Sequence, residues 1–153
     1  MTLISTRIAT LKDLEVLLTF EQGVIEAERP MDPFLKKGNI NYYNIEELIT
    51  AKNTHLIVAV SKDEVVGSGY IRIENSRIYH KNEKHGYIGF MFVKPSFRGK
   101  KISGLILESL KNWAKKESLN EIRLDVYHNN PAAIKSYERF GFNKSLVNMR
   151  LEF

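Results

Sequence analysis

The 153-residue chain has no cysteine, which excludes disulfides, thiolate metal ligands and a cysteine nucleophile. No apolar run approaches the roughly 20 residues that cross a bilayer. The opening stretch MTLISTRIATLKDLE carries neither a basic n-region nor a small-residue cleavage site. A cytoplasmic protein with no membrane partner is therefore expected. Repeats, low-complexity tracts and Gly/Ser linkers are missing, so one domain over 1–153 is expected. Apolar residues at 43% and charged residues at 27% are ordinary globular usage and argue against disordered, collagen-like or coiled-coil chains.

Uncompensated charge is also scarce, except in one place. Of the net +5, residues 1–93 contribute −1, residues 94–116 contribute +6 and residues 117–153 contribute nothing. Charge concentrated in this way points to a local anionic ligand rather than a generally basic surface.

Hydrophobic periodicity gives a coarse element order. Ile4 to Ala9 reads as a strand, and Thr10 with Asp13 as a weak capping box. Leu11, Leu14, Leu17, Leu18 and Ile25 then recur at helical spacing. Pro30 and Pro33 bracket a break, and Asn44 caps a short helix through Ile49. His55 to Val60 and Val65 to Ile73 are β-branched runs joined as a hairpin. Glu74 to Gly86 is polar, a long loop or an extended strand end. Tyr87 to Val93 (YIGFMFV) is nearly all apolar, as in a strand buried on both faces. A helix from about Gly99 to Glu117 has a core stripe of Ile102, Leu105, Ile106, Leu110, Trp113 and Ala114. Glu121 to Tyr127 alternates as a strand, and Asn130-Pro131 opens a helix that Gly141 ends. Phe142 to Phe153 reads as one or two final strands. The expected fold is α/β, a mixed sheet covered by helices.

The stretch from Val93 to Leu105 (VKPSFRGKKISGL) passes from the buried strand through a Lys/Arg-rich turn into an amphipathic helix. Free backbone N–H groups, a positive helix end and four cations converge there, as a phosphate site requires. It is not a Walker A loop, because Leu105-Ile106 stand where a Lys-Ser/Thr pair is needed, and it is not G-x-G-x-x-G.

This segment resembles the acyl-CoA signature Q/R-x-x-G-x-G/A of the GNAT superfamily of N-acetyltransferases. Arg98 matches its first position, whereas Lys101 and Ser103 stand where the later small residues usually sit. A second block of the family pattern is matched by Leu124-Asp125-Val126, Asn130, Ala133, Tyr137 and Gly141-Phe142. The resemblance implies a mostly antiparallel sheet with helices on both faces, and acetyl-CoA as cosubstrate. It implies pyrophosphate on the backbone N–H groups of Arg98 or Gly99 through Gly104, a run that includes Lys100, Lys101 and Ser103. Met91, Phe92 and Val93 would pair with the pantetheine arm as an added strand. Asn130 would touch that arm, and Ala133 and Tyr137 would line the thioester end. Tyr137 would serve as general acid toward the departing thiolate. A homodimer is compatible with the family.

The family often places a carboxylate on the buried strand, and Tyr87 to Val93 has none. Glu28 and Glu26, near the Pro-rich break, are candidate bases, with His85, Asp125 and His128 as further candidates and ordered water as the remaining option. The implied reaction is direct attack of a primary amine, from a small molecule or peptide, on acetyl-CoA. Glu26, Glu28 and Asp32 suit a cationic amine, and Phe34, Tyr42 and Tyr43 a cover for it. Two alternatives stay open. One is an acyl-CoA sensor without transfer, motivated by Lys101 and the missing strand carboxylate. The other is a nucleic-acid module presenting Lys100, Lys101, Lys111, Lys115 and Lys116, against which no RNP-like, zinc-finger or helix-turn-helix pattern occurs. His55, His80 and His85 are too dispersed for a metal set, so no metal is expected.

Overall fold

Residues 3–153 are described by a computed structural model. Strands β1 (Ile4–Ile8), β2 (Thr54–Ser61), β3 (Glu64–Asn75), β4 (Lys84–Val93) and β5 (Ile122–Leu124) form one sheet in chain order. The first four pair antiparallel, and β5 runs parallel to β4. Helices α1 (Leu14–Glu28) and α2 (Ile45–Thr50) pack on one face of the sheet. Helix α3 (Ile102–Lys116) covers the other, joined at its margin by Tyr137 and Phe140 of α4 (Pro131–Phe140). The expected mixed, mostly antiparallel sheet flanked by helices is present.

The cores follow from strand alternation. On β2, Leu56 and Val58 join Leu17, Phe20, Ile45 and Leu48 on the α1 side, while Ile57 and Ala59 join Ile106, Leu107 and Leu110 on the α3 side. A strand covered on both faces therefore reads as an unbroken apolar run. Local signals set the helix ends. Asn44 accepts a hydrogen bond from the Glu47 N–H at 3.1 Å, Asn130 accepts one from Ala133 at 3.3 Å, and Asp13 accepts from the Thr10 N–H at 2.8 Å.

Three expectations need correction. The α3 stripe runs Ile102, Ile106, Leu107, Leu110 and Ala114, with Leu105 exposed, because the neighbouring sheet selects one of two adjacent helical phases. The strand expected over Glu121 to Tyr127 pairs only through Ile122–Leu124. Phe142 to Phe153 forms no strand, and positions 143–153 enter no backbone-to-backbone hydrogen bond among the described residues. Alternation is present there, but a strand also needs a ladder partner.

Candidate active site

Pairing between β4 and β5 involves only Gly86, Tyr87 and Ile88 against Ile122, Arg123 and Leu124. Beyond Ile88 the edge of β4 facing β5 has no strand partner among the described residues, so backbone groups on that edge between Gly89 and Val93 are open to a ligand. The Met91, Phe92 and Val93 segment lies on this stretch. A bulge shapes it: the register with β3 shifts between Ser68 and Tyr70, and Phe90 adopts φ 55°. Left-handed backbone is unusual for an aromatic residue and stores roughly 1–2 kcal/mol. The buried Ser68 hydroxyl supports the bulge by donating to the Phe90 carbonyl at 3.1 Å. The bulge also switches the strand's phase. Ile88 packs on the α3 side and Phe90 on the α1 side, although residues two apart in a regular strand share a face. Thereafter Met91 and Val93 face α3, and Phe92 faces α1, where Gly23 leaves room for its ring.

After β4, a short 3-10 turn (Pro95–Phe97) leads into α3. Gly99 has φ 77° and Lys101 φ 61°. This folding turns successive N–H groups toward one side, as in anion-binding nests. Among the described residues, the N–H groups of Gly99, Lys100, Lys101, Ile102, Ser103 and Gly104 meet no protein acceptor; the first helical bond is Leu105 N–H to the Lys101 carbonyl at 3.2 Å. A Cβ placed on Gly99 or Gly104 would meet no atom within 4 Å, so the space before these groups is open. A diphosphate fits such a cradle. Lys101 itself is exposed and takes the left-handed conformation a glycine would adopt.

The surrounding cations are arranged rather than free. Arg98 Nε donates to the Val93 carbonyl at 3.2 Å, Lys94 pairs with Glu64 at 2.7 Å, and the Lys100 ammonium sits 4.8 Å from the Phe97 ring centre. Lys115 and Lys116 lie in the last turn of α3, where they complement the helix dipole. That places them about 20 Å from Lys101 along the helix axis, so the basic segment forms no single patch.

Tyr137 on α4 packs with the α3-side core, its ring 5.9 Å from Phe142 and edge-on to it. Burial, with a smaller contribution from the Glu28 charge, pushes its hydroxyl up to about 12. Glu28 ends α1 on the opposite side of the sheet. Burial raises the Glu28 carboxyl above the usual carboxylate range, opposed by the nearby Tyr42 hydroxyl and reinforced by Asp32. The Tyr42 hydroxyl is itself buried and meets no hydrogen-bond partner among the described residues. Asn130 and Ala133 are half-buried at the start of α4, and the Asn130 side chain is occupied in capping it.

The remaining candidate bases are placed differently. Glu26 and His128 are exposed. Asp125 accepts from the Tyr87 hydroxyl at 3.1 Å. His85 is buried five residues before Phe90, its Nδ1 2.7 Å from the Ser76 hydroxyl, and burial lowers its pKa. His55 stacks on Trp113 with ring centres 5.2 Å apart, and its pKa is likewise lowered by burial.

Sequence reading missed two supports of this site. Glu21, fully buried on α1, accepts from Asn41 Nδ2 at 2.7 Å and from the N–H groups of Tyr42 and Tyr43 at 2.8 and 2.7 Å. It thereby fixes the two tyrosines near Glu28. Asp32 accepts from Tyr127, Phe34 and Arg150. Glu21 at a core-facing helical position was the one available signal for the first; the second joins residues far apart in the chain.

The chain matches the acetyltransferase (GNAT) family over residues 19–142 and belongs to it. Comparison with curated proteins finds no match. Among solved structures, a mutant form of the BH1408 protein from Bacillus halodurans is similar, at 23% identity and TM-score 0.87, over 97% of this chain and 98% of that one. A predicted acetyltransferase from Clostridium acetobutylicum, solved with acetyl-CoA, is 19% identical with TM-score 0.78, over 98% and 96% of the two chains. Glucosamine-6-phosphate N-acetyltransferase from Arabidopsis thaliana is 18% identical with TM-score 0.69, over 99% of each. These likenesses show a shared fold.

Proposed function

We propose that the protein transfers the acetyl group of acetyl-CoA to a primary amine by direct attack, without a covalent enzyme intermediate. One observation carries the reading: the free edge of β4 beyond Ile88 leads into the cradle at Gly99–Gly104, whose N–H groups meet no protein acceptor among the described residues. The N–H groups bind the diphosphate, and the Met91–Val93 edge holds the extended arm by strand-like pairing. Asn130 and Ala133 border the arm at the start of α4.

Three tasks fall to side chains and backbone at the thioester. Glu28 takes the proton of the attacking amine, directly or through water; its raised pKa makes it a better base than an ordinary carboxylate. Backbone N–H groups beside the bulge face the carbonyl oxygen as negative charge develops on it. Tyr137 donates a hydrogen bond to the sulfur as the C–S bond breaks. Its pKa of about 12 lies well above a thiol's roughly 8.5, so it stabilises the thiolate without surrendering its proton fully. The Glu28 carboxylate with Tyr42, Tyr43 and Tyr127 around it favours a cationic acceptor, the Asp32 charge being met by Arg150.

The test is thiol release from acetyl-CoA in the presence of a panel of primary amines, run on wild type and Tyr137→Phe. Amine-dependent release, slowed in the variant, supports transfer. Tight acetyl-CoA binding with no amine-dependent release from any class of amine would favour a sensor instead.

A further inference from the structure

At the end of β4 remote from the cradle, β3 and β4 bring a serine, a histidine and a glutamate together. Residues two apart on a strand share a face, so Arg72, Glu74 and Ser76, the last just past the paired part of β3, follow one another on one side. His85 stands opposite Glu74 in the register. The Ser76 hydroxyl lies 2.7 Å from His85 Nδ1, and the Ser76 N–H donates to the Glu83 carbonyl at 2.8 Å, which pins the serine. Arg72 grips one Glu74 oxygen only, Oε2, through Nη2 at 2.6 Å and Nε at 3.1 Å. The other, Oε1, lies 3.7 Å from His85 Nε2. A carboxylate on that side favours the tautomer with its proton on Nε2, which leaves Nδ1 bare to accept from the serine. His85 is only 6% exposed, and burial lowers its pKa, so the imidazole is neutral at physiological pH and free to take a proton.

We propose that Ser76 is a nucleophile, with His85 as its base and Glu74 as the residue that orients the base, and that this site hydrolyses small activated esters. A hydroxyl in contact with a base that a third group orients is the arrangement that activates serine. Ser76 is half-buried and so within reach of a ligand, while the base beside it is enclosed. The N–H groups of Arg77, Ile78 and Tyr79 meet no backbone acceptor among the described residues and follow the serine directly, as donors for a developing oxyanion. Ile78 and Tyr79, 100% and 71% exposed, offer apolar surface to an aryl leaving group. In the first half-reaction Ser76 Oγ bonds to the acyl carbon as its proton passes to His85 Nδ1; the ester C–O bond breaks and the alcohol leaves with that proton. Water then attacks the acyl-serine by the same exchange, releasing the carboxylic acid and restoring the hydroxyl. The inference stands independently of acetyl transfer.

Diisopropyl fluorophosphate tests the nucleophile, because an activated serine forms a P–O bond with it as fluoride leaves. Mass spectrometry of the full chain should find one diisopropylphosphoryl group, on Ser76, and none there in Ser76→Ala. The wild-type labelling rate should rise with pH through one titration and then level off, which reads the base without any substitution. His85→Gln should slow labelling by about 100-fold or more. Glu74→Gln should slow it by about tenfold. It should also move the acid limb to lower pH, since the charges of Glu74 and Glu121 raise the His85 pKa against Arg123 and His80, which lower it. p-Nitrophenyl acetate should be cleaved faster by wild type than by Ser76→Ala. Absence of label, or label on the exposed Ser145 as fast as on Ser76, overturns the proposal. A rate that climbs with pH without levelling, or is unchanged in His85→Gln, overturns the base. An acid limb that stays in place in Glu74→Gln overturns the role of that residue, and equal ester cleavage by wild type and Ser76→Ala overturns the hydrolysis.

Discussion

The Tyr127 hydroxyl donates a 2.6 Å hydrogen bond to Asp32, joining the chain just beyond β5 to the loop after α1 across 95 residues. The other Asp32 oxygen accepts from the Phe34 N–H and from Arg150, both at 2.9 Å. These partners, Tyr127 foremost, hold the Asp32 carboxyl below the usual carboxylate range. The pinned loop follows Glu28 closely in the chain, so the same contact that ties the fold also holds the side proposed to receive the acceptor.

A carboxylate with a lowered folded pKa adds stability above its unfolded value of about 3.9 and loses it as pH falls through the folded value. Asp32→Asn should therefore lower the melting temperature at neutral pH, and the difference from wild type should shrink as the medium is acidified below about pH 4. Thermal melts of both proteins across that range check the sign.

Glu28 carries the opposite sign. Its folded pKa is raised, so the native state keeps a proton that the unfolded chain has lost, and stability falls as pH rises from about 4.3 to the folded value. Glu28→Gln should melt higher than wild type at neutral pH while turnover drops by roughly 10²- to 10⁴-fold. Glu26→Gln, on an exposed position, should change neither by more than about twofold in rate. Steady-state kinetics beside melting curves separates the two glutamates.

Removal of the Tyr137 hydroxyl tests thiolate stabilisation. Tyr137→Phe keeps the ring against Phe142 and should slow kcat by roughly ten- to a thousandfold with acetyl-CoA affinity little changed. Unchanged kcat would take Tyr137 out of the mechanism.

Lys101 occupies backbone that glycine adopts without penalty. Lys101→Gly should raise stability by up to about 1 kcal/mol, the left-handed penalty being partly offset by glycine's greater unfolded-state freedom. Diphosphate binding should survive, since the cradle is backbone. Chemical denaturation with an affinity measurement on the same variant reads both.

Sequence was most informative where the determinants are local. Asn44 and Asn130 cap their helices because the accepting side chain and donating N–H are three residues apart. The Gly99–Gly104 turn was legible because charge, small residues and a strand-to-helix change coincide within one short stretch. Phe90 was not legible: in YIGFMFV every position is apolar or glycine, so no periodicity marks where the strand changes phase. Leu105 and Leu107 are chemically alike and only the sheet decides which is buried. The Asp32–Arg150 pair spans 118 residues, and nothing in either one's neighbourhood announces the other. The alternation after Phe142 was legible, but whether it pairs depends on a partner strand that local sequence does not name.

The proposed transfer depends on the open cradle at the start of α3 holding the diphosphate of acetyl-CoA. Calorimetric titration of wild type and Gly104→Val with acetyl-CoA tests it, because a Cβ at Gly104 meets no described atom within 4 Å, so the substitution is tolerated by the fold while adding bulk beside the N–H groups of the cradle. Saturable 1:1 binding at about micromolar affinity by wild type, lost in a folded Gly104→Val, is the expected result. Absence of binding by wild type, or undiminished binding by the variant, would mean that the diphosphate is not held by this cradle.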